Sequence, residues 1–234
     1  MYGPRARLVP LVLVGLLVAG ACGSQGSSTS TASGGPAPAN VTVAYQPGIG
    51  YAALIVMKQQ KVLEKQYPTT TFEWKILPGG SAIRDGVVAG QIQVGAGGVG
   101  PFLEGWDKGV GWKLLASLSE MDLWLVARDP AIQSLRDFKP AMKIGMPAPD
   151  SIQAIVLRKA AQEQLGNARA LDDNVVAIAH PDGVQALASG QLAGHFTSPP
   201  FQNEAVQAGG HVVLRSFDQF GKSTFKKVLP MYEA

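Results

Sequence analysis

Two glycine-rich segments have the spacing of turns that cradle phosphate. Gly48-Ile49-Gly50-Tyr51-Ala52-Ala53 has the Gly-x-Gly-x-x-Ala form and Gly95-Ala96-Gly97-Gly98-Val99-Gly100 the Gly-x-Gly-x-x-Gly form, each between a strand-like and a helix-like run. A dinucleotide site is disfavoured, because Gln46-Pro47 interrupts the first and Leu77-Pro78 stands where an acid should meet the ribose. What remains is a way to point backbone N–H groups, at the positive end of a helix dipole, toward an anion or polar group. The alternative is that both are simply tight turns.

Other chemistry is thinner. Gly221-Lys222-Ser223 lacks the first glycine of a phosphate loop, since Ser216 holds that place, and Ser223-Thr224-Phe225-Lys226 matches Ser-x-x-Lys inside a strand-like run. There is no Gly-x-Ser-x-Gly elbow and no His-Glu-x-x-His. A lone Cys and three scattered histidines, His180, His195 and His211, assemble neither a disulfide nor a zinc site. His195 lies near the end of a strand-like run, where it could face a cleft or serve as a structural hydrogen-bonding group. No nucleophile–base or metal constellation is visible, so the chain reads as a binding protein rather than an enzyme, with no cofactor.

The candidate ligand groups lie in loops that follow strands and open helices: Gln46 to Gly50, Gly79 to Ser81, Gly97 to Gly100, Pro147 to Ser151, and Thr197-Ser198. From them we select Gln46, Gly50, Ser81, Gly98, Val99, Asp150, Ser151, Thr197 and Ser198 as binding residues, with Trp124, Tyr45 and Phe196 as aromatic walls. These loops contain no Arg or Lys. A ligand held mainly by neutral donors is therefore expected: a small polar or anionic solute, a zwitterion or a neutral heterocycle.

The elements that must position these loops alternate. Val41–Tyr45 and Phe72–Leu77 are predicted strands, with a helix over Ile49–Leu63 between them, and Ser81 is expected to cap a helix that stops at Gly90. Ile92–Ala96 follows as a strand, Pro101–Lys108 as a helix, and Trp112–Ser119 and Leu123–Ala127 as strands. The pattern restarts at Lys143-Ile144-Gly145. Asp150 with Gln153 and Asp182 with Gln185 read as capping boxes of helices ending at Gly166 and Gly190, and Ser198-Pro199 as an N-cap with its N1 proline. Val175–Ile178, Leu192–Phe196 and Val212–Leu214 are the remaining strands. This alternation indicates an α/β fold with a parallel sheet. Gly90-Gln91-Ile92 and Gly190-Gln191-Leu192, 100 residues apart, hint at an internal duplication.

The chain has 234 residues, and its excess of basic side chains is small: over residues 22–234 it is eighteen basic against seventeen acidic. No nucleic-acid partner is expected. Residues 1–21 read as an export signal, with Arg5 and Arg7 ahead of an apolar run, Leu8 to Val18, too short to span a bilayer. Cys22 follows Ala19-Gly20-Ala21 as in a lipobox, although a larger aliphatic is usual at Ala19, and Gly23 to Ala39 forms a Gly/Ser/Thr/Ala/Pro tether. Lipidation of Cys22 and an extracytoplasmic, membrane-anchored body are expected.

Ile132-Gln133-Ser134-Leu135-Arg136-Asp137-Phe138-Lys139-Pro140 with Lys143-Ile144-Gly145, the segment Gly90–Gly95 and the segment Gly190–Phe201 together resemble the substrate-binding lipoproteins of the nitrate/sulfonate/taurine ABC importers. Gln93 and Ala193 stand where that family commonly has an Asp. The resemblance implies a type II periplasmic-binding architecture, with two α/β lobes, a ligand between them, and an ABC permease with its ATPase as partners. Leu123–Ala127 would be the outgoing crossover and Thr224–Leu229 the return, giving lobe 1 over 41–122 plus 222–234 and lobe 2 over 123–221. Family members continue past the return strand with helices, so a C-terminally shortened fold is expected. The alternative is an enzyme on the same fold, such as a thiamine-pyrimidine synthase-like protein, which an export signal disfavours. A transcription-regulator lobe would need a helix-turn-helix where the signal and tether stand.

Overall fold

A computed structural model describes residues 37–220. The expected signal, Cys22, most of the expected tether, and the segment holding Ser223–Lys226 and the expected return strand Thr224–Leu229 lie outside the described residues. The first half is built on β1 (Asn40–Tyr45), β2 (Thr71–Ile76) and β3 (Val94–Gly95), a parallel sheet in the order β2-β1-β3. Its helices are α1 (Ala52–Gln59), α2 (Val62–Gln66), α3 (Gly80–Val88) and α4 (Val99–Asp107). The single helix expected after β1 is instead a 3-10 turn, Ile49–Tyr51, followed by α1 and α2. Lys61, at φ 52°, breaks the run between them, in a region that an L residue with a Cβ occupies at a cost.

The second half contains β4 (Trp124–Ala127), β5 (Ile144–Met146), β6 (Val175–Ala177), β7 (Gly194–Thr197) and β8 (His211–Arg215), in the order β6-β5-β7-β4-β8. Helices α5 (Ile152–Leu165), α6 (His180–Ala188), α7 (Phe201–Gln207) and α8 (Ser216–Phe220) complete it. β5 pairs in parallel with β6 and β7, but β4 runs antiparallel to β7 and β8, so this sheet is mixed rather than wholly parallel. β4 is the strand read as the outgoing crossover, and its reversed direction is what local alternation cannot reveal.

Pairing fixes the faces of the second sheet. Leu125 opposite Phe196 turns toward α5 and a cluster that includes Ile144, Met146, Leu157 and Ala160, all at most 1% exposed. Trp124 opposite Thr197 and Val126 opposite His195 turn the other way, toward α6 and α7. The first half has two small clusters, Ala44-Ile83-Ile92 and Tyr45-Leu54-Ala96.

Trp112–Ser119 forms no strand: residues 110–123 join neither sheet. Their apolar groups find side-chain partners instead, Trp112 stacking on Phe102 at 5.2 Å and Met121 lying against Gly50. The paired Gly-Gln-Ile/Leu units do the same job twice. Gly90 (φ 71°) and Gly190 (φ 79°) end α3 and α6 in the left-handed region, and the N–H groups of Ile92 and Leu192 turn back onto Gly86 and Ala186 carbonyls.

Candidate functional site

The strand-end loops of both halves meet in one seam. After β1, the Gln46 amide donates to the Tyr51 hydroxyl at 2.8 Å, and the Ile49 N–H donates to the Pro199 carbonyl of the second half at 3.4 Å. Gly48 stands beside that carbonyl and Ser198, while Gly50 is closed over by Met121 and Ser119. After β2, Gly79 packs on Pro147, whose carbonyl would lie 3.2 Å from an added Cβ. After β3, Gly98 and Gly100, flanking Val99, press on Ile152 and Ile155, which would lie 2.8 and 2.7 Å from added Cβ atoms. Gly98 has an ordinary φ of −69°, so glycine is needed here for close approach of the second half and not for an unusual backbone. The second fingerprint is thus a packing face, with Ile152 and Ile155 lying where Cβ atoms on Gly98 and Gly100 would stand.

Asp150, between β5 and α5, ties the halves together. Its carboxylate accepts from the Ser81 hydroxyl and, at 2.6 Å, from Arg84, which also reaches Glu104 at 3.1 Å. Partial burial pushes the Asp150 pKa up, but the Ser81 and Arg84 contacts outweigh it and hold the carboxyl below its ordinary range. Asp150 and Gln153 therefore form no capping box. Ser151 caps α5 through the Ala154 N–H at 3.3 Å, and Gln153 is buried. Ser81 does not cap α3, because Gly79 occupies the N-cap and the Ser81 hydroxyl is drawn to Asp150. Arg84 was not in the selected loops, since it stands one turn inside α3. Beside this bridge an open cleft of about 740 Å³ is lined by Ser81, Gly100, Leu103, Glu104, Ala148, Pro149, Asp150, Ile155 and Arg158.

Thr197 and Ser198, at the end of β7, share one imidazole. His180 Nδ1 lies 2.7 Å from the Thr197 Oγ1 and its Nε2 3.3 Å from the Ser198 Oγ, and the ring stacks on Phe201 at 5.7 Å. Burial lowers the His180 pKa to about 4, so the ring is neutral at physiological pH. His195 is wholly buried against Gly183, neither ring nitrogen having a partner among the described residues, and burial followed by the neighbouring His180 lowers its pKa to about 3. The cleft-facing alternative for His195 is thereby set aside. Sequence reasoning passed over His180, yet it opens α6 after β6, the same strand-end position that singled out the other loops.

Three further expectations are corrected. Ser198-Pro199 supplies no N-cap, since the N-cap of α7 is Pro200, and the α6 N-cap is Ala179 without a side-chain bond, so Asp182 and Gln185 make no capping box. Tyr45 and Phe196 are core residues, 4% and 0% exposed, and wall no ligand. Trp124 sits at the seam end of β4, but its indole N–H donates to Asp122 at 2.8 Å and Arg215 lies over its ring. Among the described residues no group of three or more His, Cys, Asp or Glu could hold a metal, and no helix is long and apolar enough to cross a membrane.

The model of the NMT1-like family matches residues 34–219. Among solved structures, the periplasmic aliphatic sulphonate-binding protein SsuA from Escherichia coli is similar at 23% identity and a TM-score of 0.56, over 77% of this chain and 58% of that one. The alkanesulfonate-binding protein SsuA from Xanthomonas axonopodis pv. citri, bound to MOPS, is similar at 20% identity and TM-score 0.60, over 76% and 61%. The periplasmic nitrate-binding protein NrtA from Synechocystis PCC 6803 is similar at 12% identity and TM-score 0.58, over 79% and 53%. The likeness places this chain in the α/β fold of periplasmic binding proteins, while the chain spans only 53–61% of the length of these three structures. All three are binding proteins rather than enzymes. No curated protein matches.

Proposed function

This chain belongs to the NMT1-like family, and from that premise we propose that it is the extracytoplasmic solute-binding component of an ABC importer. It captures a small polar or anionic solute between its two halves and delivers it to a permease with its ATPase. One observation carries the reading: strand-end loops of both sheets converge on one seam, bridged at one end by Ser81 and Arg84 on Asp150 and at the other by Ile49 on Pro199. In open α/β sheets the carboxyl ends of strands are where ligands bind, and closure of two such halves buries a solute. Ser198, with Gly48 across from it and Gln46 in the same strand-end loop as Gly48, supplies polar contacts, while the charge of Arg84 at the opposite end is taken up by Asp150 and Glu104.

Calorimetry of the full chain against taurine, methanesulfonate, nitrate and aminopyrimidines tests this. Loss of one hydrogen bond to a charged ligand costs about 1.5–3 kcal/mol, or roughly ten- to a hundredfold in affinity. Ser198→Ala should weaken the tightest of these by that factor, and tight binding left untouched by both Ser198→Ala and Gln46→Ala would refute the placement. We further propose that Cys22 carries a lipid anchor on the outer face of the cell membrane. Cys22→Ser should then move the protein from the membrane to the soluble fraction, and unchanged retention would count against the anchor.

A further inference from the structure

We propose that His180 is a positioning residue of the seam: its imidazole fixes the direction of the Ser198 hydroxyl, so that Ser198 presents a proton to the solute. The inference rests on the importer reading for the solute, and on geometry alone for the hydroxyl. A neutral imidazole has one N–H donor and one acceptor nitrogen, so the two hydroxyls it touches must play opposite parts. Burial keeps this ring neutral.

Thr197 is 0% exposed, and His180 is its one side-chain partner among the described residues. If Nδ1 carried the proton, the Thr197 O–H would have no acceptor among the described residues, an arrangement that buried polar groups avoid. The Thr197 hydroxyl therefore donates to Nδ1 across the short 2.7 Å contact. That places the ring proton on Nε2, which donates to the Ser198 Oγ. Ser198 has thus accepted on its inner side and keeps its own O–H for the outer side. There the Gly48–Ile49 turn of the first half approaches, with the Ser198 Oγ 3.8 Å from the position of a Cβ on Gly48. A group in this part of the seam meets a donor, which selects for solutes that bring an acceptor oxygen. The stacking of Phe201 on the ring holds its plane.

The test uses the full chain with 15N-labelled histidine and long-range proton–nitrogen spectra, the His180 signals being identified by their loss in His180→Gln. The expected result is a protonated Nε2 and an unprotonated Nδ1. Thr197→Val keeps the shape and removes the donor, so it should abolish the single Nε2–H tautomer. It should also weaken methanesulfonate binding at least fivefold, although Thr197 itself is shielded from the seam. Thr197→Ser, which keeps the hydroxyl, should retain both tautomer and affinity, and Ser198→Ala should keep the tautomer while losing the affinity. A protonated Nδ1 in the native protein, or a tautomer that Thr197→Val leaves unchanged, would overturn the assignment. If Thr197→Val does not fold, the native and Ser198→Ala spectra decide it. Should no probe anion bind the native protein, the importer reading falls, while the tautomer still upholds or overturns the hydroxyl directions.

Discussion

The two halves solve the same packing problem with different success. The second half surrounds its five-stranded sheet on both faces, with sixteen buried residues in the cluster under α5 and a second cluster under α6 and α7. The first half has three strands and two clusters of three buried residues each. Among the described residues, eleven of the thirteen large exposed apolar residues belong to residues 49–118, among them Ile49, Ile76, Val88, Trp106 and Leu115. β3 shows why. It contributes only Val94 and Gly95 to the sheet, and the long segment after α4 joins no ladder, so little covers the outer faces of α1, α3 and α4. A sheet gains stability by burying both faces, and the half that does so becomes the rigid partner on which the other rests.

The largest test of this contrast is a truncation in each core. Phe196→Ala removes a wholly buried ring from the second half and should cost about 3–5 kcal/mol, whereas Ile83→Ala in the smaller cluster should cost about 2 kcal/mol. Urea unfolding followed by fluorescence measures both, and equal losses would erase the distinction between the halves.

Acid should find the second half first, because both buried histidines belong to it. Their folded pKa values, about 4 for His180 and about 3 for His195, lie below the ordinary 6.5. The unfolded chain therefore takes up protons that the folded one excludes. Stability is complete above about pH 6.5 and declines as pH falls toward the folded values, by up to about 1.4 kcal/mol per pH unit for each histidine. Between pH 7.5 and 5 the loss should reach about 4 kcal/mol in urea titrations. His195→Leu should roughly halve the slope, and a flat profile would show that these rings are hydrated in solution.

The smallest effect concerns the bridge between the halves. Arg84 and Asp150 are 17% and 24% exposed, so solvent screening limits Asp150→Asn to about 1 kcal/mol at low salt, less at high salt. Because the carboxyl is held below its ordinary pKa, this contribution is complete at neutral pH and is lost only as pH falls below about 4. In thermal melts the double variant with Arg84→Gln should lose less than the sum of the two single losses, the remainder being the Arg84 contact with Glu104. Additive losses would show that the two side chains do not act through each other.

What was legible before the structure follows from where each signal resides. Strand and helix alternation, the stops at Gly90 and Gly190, and the strand-end loops are written in stretches of a few residues, so their order survives while several boundaries move. The capping assignments failed where a longer-range partner competed for the same side chain. Ser81 and Asp150 each match a capping pattern, but they lie 69 residues apart in sequence and bond to each other. Trp112–Ser119 is apolar enough to read as a strand, yet it joins no sheet and Trp112 stacks on Phe102 instead.

The chain's local order thus determines an α/β architecture and the positions where backbone N–H groups and hydroxyls gather, because glycine turns and apolar periods act through φ, ψ and side-chain direction alone. Only the tertiary structure decides that β4 runs against its neighbours, that Gly98 and Gly100 serve close packing, and that one histidine governs two hydroxyls. Those outcomes depend on which surfaces approach one another across the seam, and a contact between segments tens of residues apart leaves no period or cap in either of them.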